Sequence, residues 1–211
     1  HIPQARLGGF VFQAAVERRF FHWPLAFPEV FAGGGFDVLL GNPPFLGGLK
    51  ISTEFGDKYW NYLTCTFDPF FSTADLCALF YRRVFDVLKP DGSFALIGTH
   101  PIGQGDTRQA GLAVIQSRGG AINFARRFVK WPGVASVEVS LCAVYKGQWQ
   151  GPFQLDGVAV QTISTRLDAE GESEPPALQQ NADRSFIGSY VLGMGYIMAP
   201  EEAQRLIEAD P

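Results

Sequence analysis

The stretch Phe36-Asp37-Val38-Leu39-Leu40-Gly41-Asn42-Pro43-Pro44-Phe45 constrains this chain most. An apolar run of strand character stops abruptly at a diproline. Neither proline has a backbone N–H to donate, and each ring fixes its own φ. The residue ahead of a proline is also pushed out of the helical region. Asn42 and Pro43 are therefore expected to be held extended, in a rigid loop at the end of a buried strand. The carboxyl ends of strands in an open α/β sheet are where ligands bind, so this corner is the first candidate for a site.

The residue types at the corner point to a chemistry. Asn42 offers a side-chain carbonyl oxygen and Pro43 a main-chain one. Two acceptors at a fixed spacing can take both hydrogens of one exocyclic NH2 group, which draws the nitrogen lone pair out of conjugation and aims it. Phe45 adds a flat face on which a planar base can stack. An acceptor pair beside a stacking surface suits methylation of an amino group on an extruded base.

Elements follow on both sides of the corner. His22 to Phe31 is rich in aromatics and proline and is expected to pack on the sheet edge, ahead of the Gly33-Gly34-Gly35 turn and a strand over 36–41. Residues 46–73 read as a long aromatic loop, and so long an irregular segment usually has a function. The i, i+3, i+4 spacing of Leu76, Leu79, Phe80, Val84, Val87 and Leu88 predicts a helix over 74–88, capped by Ser72 or Thr73. Lys89-Pro90-Asp91-Gly92 stops it ahead of a strand over 93–98. A helix over about 107–118, capped by Asp106 or Thr107, then leads to strands at 121–128 and 136–145 joined by a tight loop. After Gly147 the pattern breaks into short strands and an acidic loop, with a strand near 185–191 and a terminal helix opening at Pro200. Residues 1–20 read as a short amphipathic helix.

Asn42-Pro43-Pro44-Phe45 resembles the Asn/Asp-Pro-Pro-aromatic motif of amino-methyltransferases that use S-adenosylmethionine, and the Asn form is typical of enzymes acting on adenine N6 in DNA. His22-Trp23-Pro24-Leu25-Ala26-Phe27-Pro28-Glu29-Val30-Phe31, followed by Gly34-Gly35-Phe36-Asp37, is similar to the large fused type II methylases of bacterial restriction-modification and phage-defence systems. The likeness covers roughly residues 20–150 and, more loosely, 185–205. It implies an α/β fold: a partial class I, Rossmann-like methyltransferase sheet of about four strands, ending in an antiparallel hairpin, with a C-terminal appendage. Residues 1–147 would be the later part of the catalytic domain, and 148–211 a linker and the start of a recognition or accessory region.

The resemblance also assigns roles. Asn42, Pro43, Pro44 and Phe45 would be catalytic. Phe45 and Trp131 would stack on the base from opposite sides. Asn42, Asp75 and Phe80 would lie against S-adenosyl-L-methionine, and Arg126, Arg127 and Lys130 could hold DNA phosphates. His100 reads as structural or DNA-facing, because amino-group methylation needs no early base. In this family order a glycine-rich loop and an acidic residue that hold the cofactor precede the diproline motif. The 41 residues before Asn42 contain neither, so the upstream half of the methylase domain is expected as a partner, alongside double-stranded DNA with a flipped adenine.

Composition narrows the choice further. The 211 residues are 46% hydrophobic with a net charge of −4, enough for one packed domain, and the acidic balance counts mildly against a stand-alone DNA module. Cys65, Cys77 and Cys142 have no metal-ligand spacing and read as reduced thiols of a cytoplasmic protein. No apolar run approaches membrane-spanning length, and no metal site is expected. The alternatives are a methyltransferase for protein glutamine amides, whose NH2 suits the same two acceptors, and a non-catalytic fragment that binds DNA or a partner.

Overall fold

The computed structural model describes residues 21–131, 138–173, 204, 205 and 208. The chain divides into two units, His1–Glu172 and Ser173–Pro211. The first therefore runs past the boundary expected at 147/148. In the second, Gln204 and Arg205 are helical, with Gln204 Nε2 donating to Glu208 Oε1 at 3.3 Å. The amphipathic helix expected in 1–20 and the strand expected at 185–191 lie outside the described residues.

The first unit is built on one mixed sheet. Strand β1 (Phe36–Gly41) pairs in parallel with β2 (Leu88–Thr99). Next comes β4 (Glu138–Lys146), antiparallel both to β2 and to β3 (Gly120–Lys130). Two short strands extend the sheet beyond β3: β5 (Phe153–Leu155), parallel to β3, and β6 (Val158–Val160), antiparallel to β5. The order is β1-β2-β4-β3-β5-β6. The α/β class and the antiparallel hairpin are as the sequence predicts; the β5–β6 pair raises the strand number to six.

Alternation along the strands fixes which face is buried. Phe94 and Leu96 of β2, Cys142 and Val144 of β4, and Ile122 and Ala125 of β3 all point to one side and are buried. Helix α5 (Leu76–Val87) lays Cys77, Ala78, Tyr81 and Phe85 on that side, and the Tyr81 hydroxyl donates to the Leu96 carbonyl at 2.9 Å. A second helical segment joins it: α6 (Gly105–Arg108), a single π-helical turn (Gln109–Ala113) and α7 (Val114–Ser117), burying Ala110, Leu112 and Ile115. The other side is left more open. Val38 and Leu40 of β1, an edge strand among the described residues, are 58% and 76% exposed.

Ahead of β1, α1 (Trp23–Ala26) and α2 (Pro28–Ala32) each carry proline in their first turn, where its missing N–H costs nothing. Trp23, Phe27 and Phe31 meet the Phe36 ring edge-on at 5.5, 5.3 and 5.8 Å. The aromatic lead-in thus packs on the start of the edge strand, as expected.

Three local readings are corrected. Residues 46–73 are mostly helical: α3 (Gly48–Phe55) and α4 (Asp57–Thr66) meet at Gly56, whose φ of 80° breaks the run. Ile51, Leu63 and Phe67 bury against Leu76 and Leu79 in a second small core. Asp75, not Ser72 or Thr73, caps α5, accepting from the Cys77 N–H at 2.9 Å. Asp106 and Thr107 do not cap α6, which starts earlier and has no side-chain cap; Thr107 accepts from the Asp75 N–H instead, and Asp106 accepts from the Thr73 hydroxyl.

Candidate active site

Because β4 is antiparallel to both β2 and β3, the strands β1, β2 and β3 all run the same way. Gly41 lies opposite Leu96, Thr99 opposite Val139, and Val139 opposite Val129. The chain leaving β1 at Asn42, β2 at His100 and β3 at Trp131 therefore emerges on a single rim. Asn42 and Trp131 start from strands three spacings apart, roughly 14 Å.

The diproline corner has one packed side and one open side. Pro43 is buried and Phe45 half-buried against the main core, whereas Asn42 is exposed and its amide makes no hydrogen bond to any described residue. The far end of the loop is pinned. The Leu76 N–H donates to the Leu46 carbonyl at 2.9 Å, and the Leu46 N–H reaches Asp75 Oδ1 at 3.4 Å. Gly48 then passes so close to the chain before α5 that a Cβ there would lie 2.3 Å from the Ser72 carbonyl oxygen.

Asp75 is part-buried and bonded through Oδ1. Phe80, one turn further along α5, is 38% exposed and lines a small cleft of about 110 Å³ with Tyr59, Tyr62, Phe67 and Arg83. Burial pushes the Tyr59 hydroxyl up from its usual range, with the neighbouring Tyr62 adding to it. On the rim, the His100 ring sits 4.6 Å from that of Phe128 and its Nε2 lies 3.3 Å from Gln104 Nε2. His100 Nδ1 is buried with no hydrogen-bond partner among the described residues. Trp131 is half-buried, and the loop beyond it, 132–137, is outside the described residues.

Residues 10–108 match the family model for Eco57I restriction-modification methylase. The matched stretch covers just under half of the chain. It includes the diproline corner, Asp75, Phe80 and the end of β2. No curated protein matches. Among solved structures, Type IIL restriction-modification enzyme MmeI in complex with DNA is similar in fold. The TM-score is 0.59 at 21% identity over 82% of this chain, which spans 26% of that one. The fold is thus shared well beyond the matched stretch.

The cations predicted for DNA divide in the structure. Arg126 and Lys130 are exposed. Arg127 is not a free charge: its Nε and a terminal nitrogen each lie 2.8 Å from Asp156 Oδ2, and its N–H donates to Asp156 Oδ1 at 2.7 Å. The sequence reading missed this pairing. Its one signal was Asp156-Gly157, a hairpin dipeptide that here sits at φ 52° and 87° and brings the carboxylate under β3. Also unforeseen were Phe128, 53% exposed at a left-handed φ of 54°, and a groove of about 460 Å³ beside Asn123, Phe124, Trp149 and Phe153. Neither this groove nor the cleft at Phe80 is lined by Asn42. Among the described residues no cluster could hold a metal ion, and no helix is long and apolar enough to cross a membrane.

Proposed function

We propose that this chain is the later part of a restriction-modification methylase that methylates the N6 amino group of adenine in DNA, with S-adenosylmethionine as donor. The observation that carries the reading is Asn42: an amide with no hydrogen bond to any described residue, exposed on a rim and standing on a corner made rigid by two prolines. A free acceptor on a stiff mount is preorganised for a ligand's hydrogens.

Asn42 Oδ1 and the Pro43 carbonyl would accept the two amino hydrogens of the extruded base, leaving the nitrogen lone pair to point away from the ring. Phe45 on one side and Trp131 on the other would bracket the base. The amino nitrogen would attack the methyl carbon as its bond to the sulfonium sulfur breaks, leaving a neutral thioether, and would release its proton to water only afterwards, so no general base is required, and His100 would shape the rim. S-adenosylmethionine, when bound, supplies an electrophilic methyl group. The residues present fit such a group in part. Phe80 offers a partly exposed ring for a purine, and Asp75 meets the far end of the loop that Asn42 opens. Arg126 and Lys130 would take phosphates of the bound duplex.

The remaining cofactor contacts would come from the upstream half of the methylase domain, docking against β1. Val38 and Leu40, exposed on an edge strand, are what such a half would cover. The 211-residue chain alone is then expected to bind S-adenosylmethionine weakly. Calorimetry tests this, and micromolar affinity would contradict it. The reaction is tested by incubating the full-length protein with labelled S-adenosylmethionine, duplex DNA and a protein substrate, and then separating the nucleosides. Label in N6-methyladenine supports the reading, and label only in protein glutamine assigns the amide alternative.

A further inference from the structure

The diproline loop is rigid at its own prolines, but a rigid corner aims nothing unless its base is fixed. That base is Leu46, and its two backbone groups are both engaged at the start of α5. Its carbonyl accepts from the Leu76 N–H at 2.9 Å, and its N–H points to Asp75 Oδ1 at 3.4 Å. The same oxygen accepts from the Cys77 N–H at 2.9 Å, and the Asp75 N–H donates to Thr107 Oγ1 at 3.1 Å. Cys77 in turn contacts the Thr99 hydroxyl at the end of β2, at 3.6 Å. One residue therefore joins the diproline loop, the helix start, the segment carrying Thr107 and, through Cys77, the last residue of β2.

We infer that Asp75 is a positioning residue for the Asn42–Pro43 acceptor pair, acting through Oδ1 as a bridge between the cap of α5 and the base of the loop. This rests on the proposed amino-methyl transfer and deepens it. A helix cap needs one acceptor for Cys77 and would be served by serine. The bridge to Leu46 needs the extra bond length of a carboxylate or carboxamide. Oδ2 makes no hydrogen bond to any described residue, so the negative charge itself is not consumed by the bridge.

These features separate three substitutions in the full-length protein. Asp75→Asn keeps an oxygen for both N–H groups and loses the charge. Asp75→Ser keeps the cap and loses the bridge. Asn42→Ala removes the acceptor being aimed. A displaced acceptor costs roughly tenfold to a hundredfold in turnover. Asp75→Ser is expected to lower kcat by about that factor, with little change in KM for S-adenosylmethionine and faster hydrogen exchange at the Leu46 amide. Asp75→Asn, whose carboxamide oxygen still reaches both N–H groups, is expected to keep slow exchange at the Leu46 amide. If exchange at the Leu46 amide is as fast in Asp75→Asn as in Asp75→Ser, the side-chain oxygen does not hold the base of the loop and the inference is wrong. Unchanged exchange at Leu46 in Asp75→Ser overturns it as well. Exchange is read without any substrate, so it stands even if the wild-type protein does not methylate DNA, a result that would sink the proposed function instead.

Discussion

At Gly48 the chain has no room for a methyl group. A Cβ would lie 2.3 Å from the Ser72 carbonyl oxygen and 2.6 Å from that of Ala74, both backbone atoms that cannot swing aside. Its neighbour Gly47 sits at φ −59° with nothing within 4 Å of a Cβ. Gly48→Ala should therefore destabilise by about 1–3 kcal/mol, read from the urea midpoint, while Gly47→Ala should be neutral. Equal effects would mean that α3 is not seated where described. Arg82 gives a second residue-scale test. It is buried, and its guanidinium donates to the carbonyls of Asp68 at 2.7 Å, Pro69 at 2.8 Å and Ala110 at 3.4 Å. Arg82→Met keeps the bulk of the stem but strands those carbonyls, and should cost about 3 kcal/mol. A change under about 1 kcal/mol would show that the carbonyls find water.

At the scale of elements, α5 and β2 were legible because their patterns are uncompromised. Leu76, Leu79 and Phe80 keep helical spacing, and Phe94, Leu96 and Gly98 of β2 alternate with half-exposed neighbours. The α3–α4 hairpin was not legible. Its apolar residues are mixed with aromatics that pack on one another, such as Phe55 on Tyr59 at 5.1 Å and Trp60 on Phe70 at 5.0 Å, and neither helix has a side-chain cap to announce it. The caps of α5 and α6 were misplaced for a related reason: Thr73, Asp106 and Thr107 have the chemistry of caps but spend it on bonds between elements, which no local pattern reveals. The packing of α5 on the sheet also has a chemical consequence. Cys77 of α5 and Cys142 of β4 are buried, and burial pushes both thiols up to about 12. A raised value means almost no thiolate near pH 8. Iodoacetamide at that pH should label exposed Cys65 and leave the other two until urea unfolds the protein. Prompt labelling of Cys142 in the native state would contradict the described sheet.

For the whole molecule, the open face and edge of β1 set the expectation. Leu40 is 76% exposed and Val38 58% on a strand with an unpaired side among the described residues, and such edges associate. The 211-residue chain on its own should self-associate with rising concentration in sedimentation, and Leu40→Lys should reduce this; a strict monomer at all concentrations would remove the case for a docking half. The geometry of the candidate site was legible from sequence only where covalent structure dictates it. The prolines fix the corner whatever surrounds it, so the place of Asn42 at the end of β1 could be read in advance. Arg127 could not be judged, because its partner Asp156 arrives from a hairpin 29 residues away. The base-binding reading hangs on Asn42, and one measurement addresses it directly: N6-methyladenine formed per unit time by the full-length protein carrying Asn42→Ala, with circular dichroism showing the fold retained. Loss of an aimed acceptor should lower turnover by well over tenfold, on the order of a few kcal/mol in the barrier. Turnover equal to that of the unsubstituted protein would contradict the account.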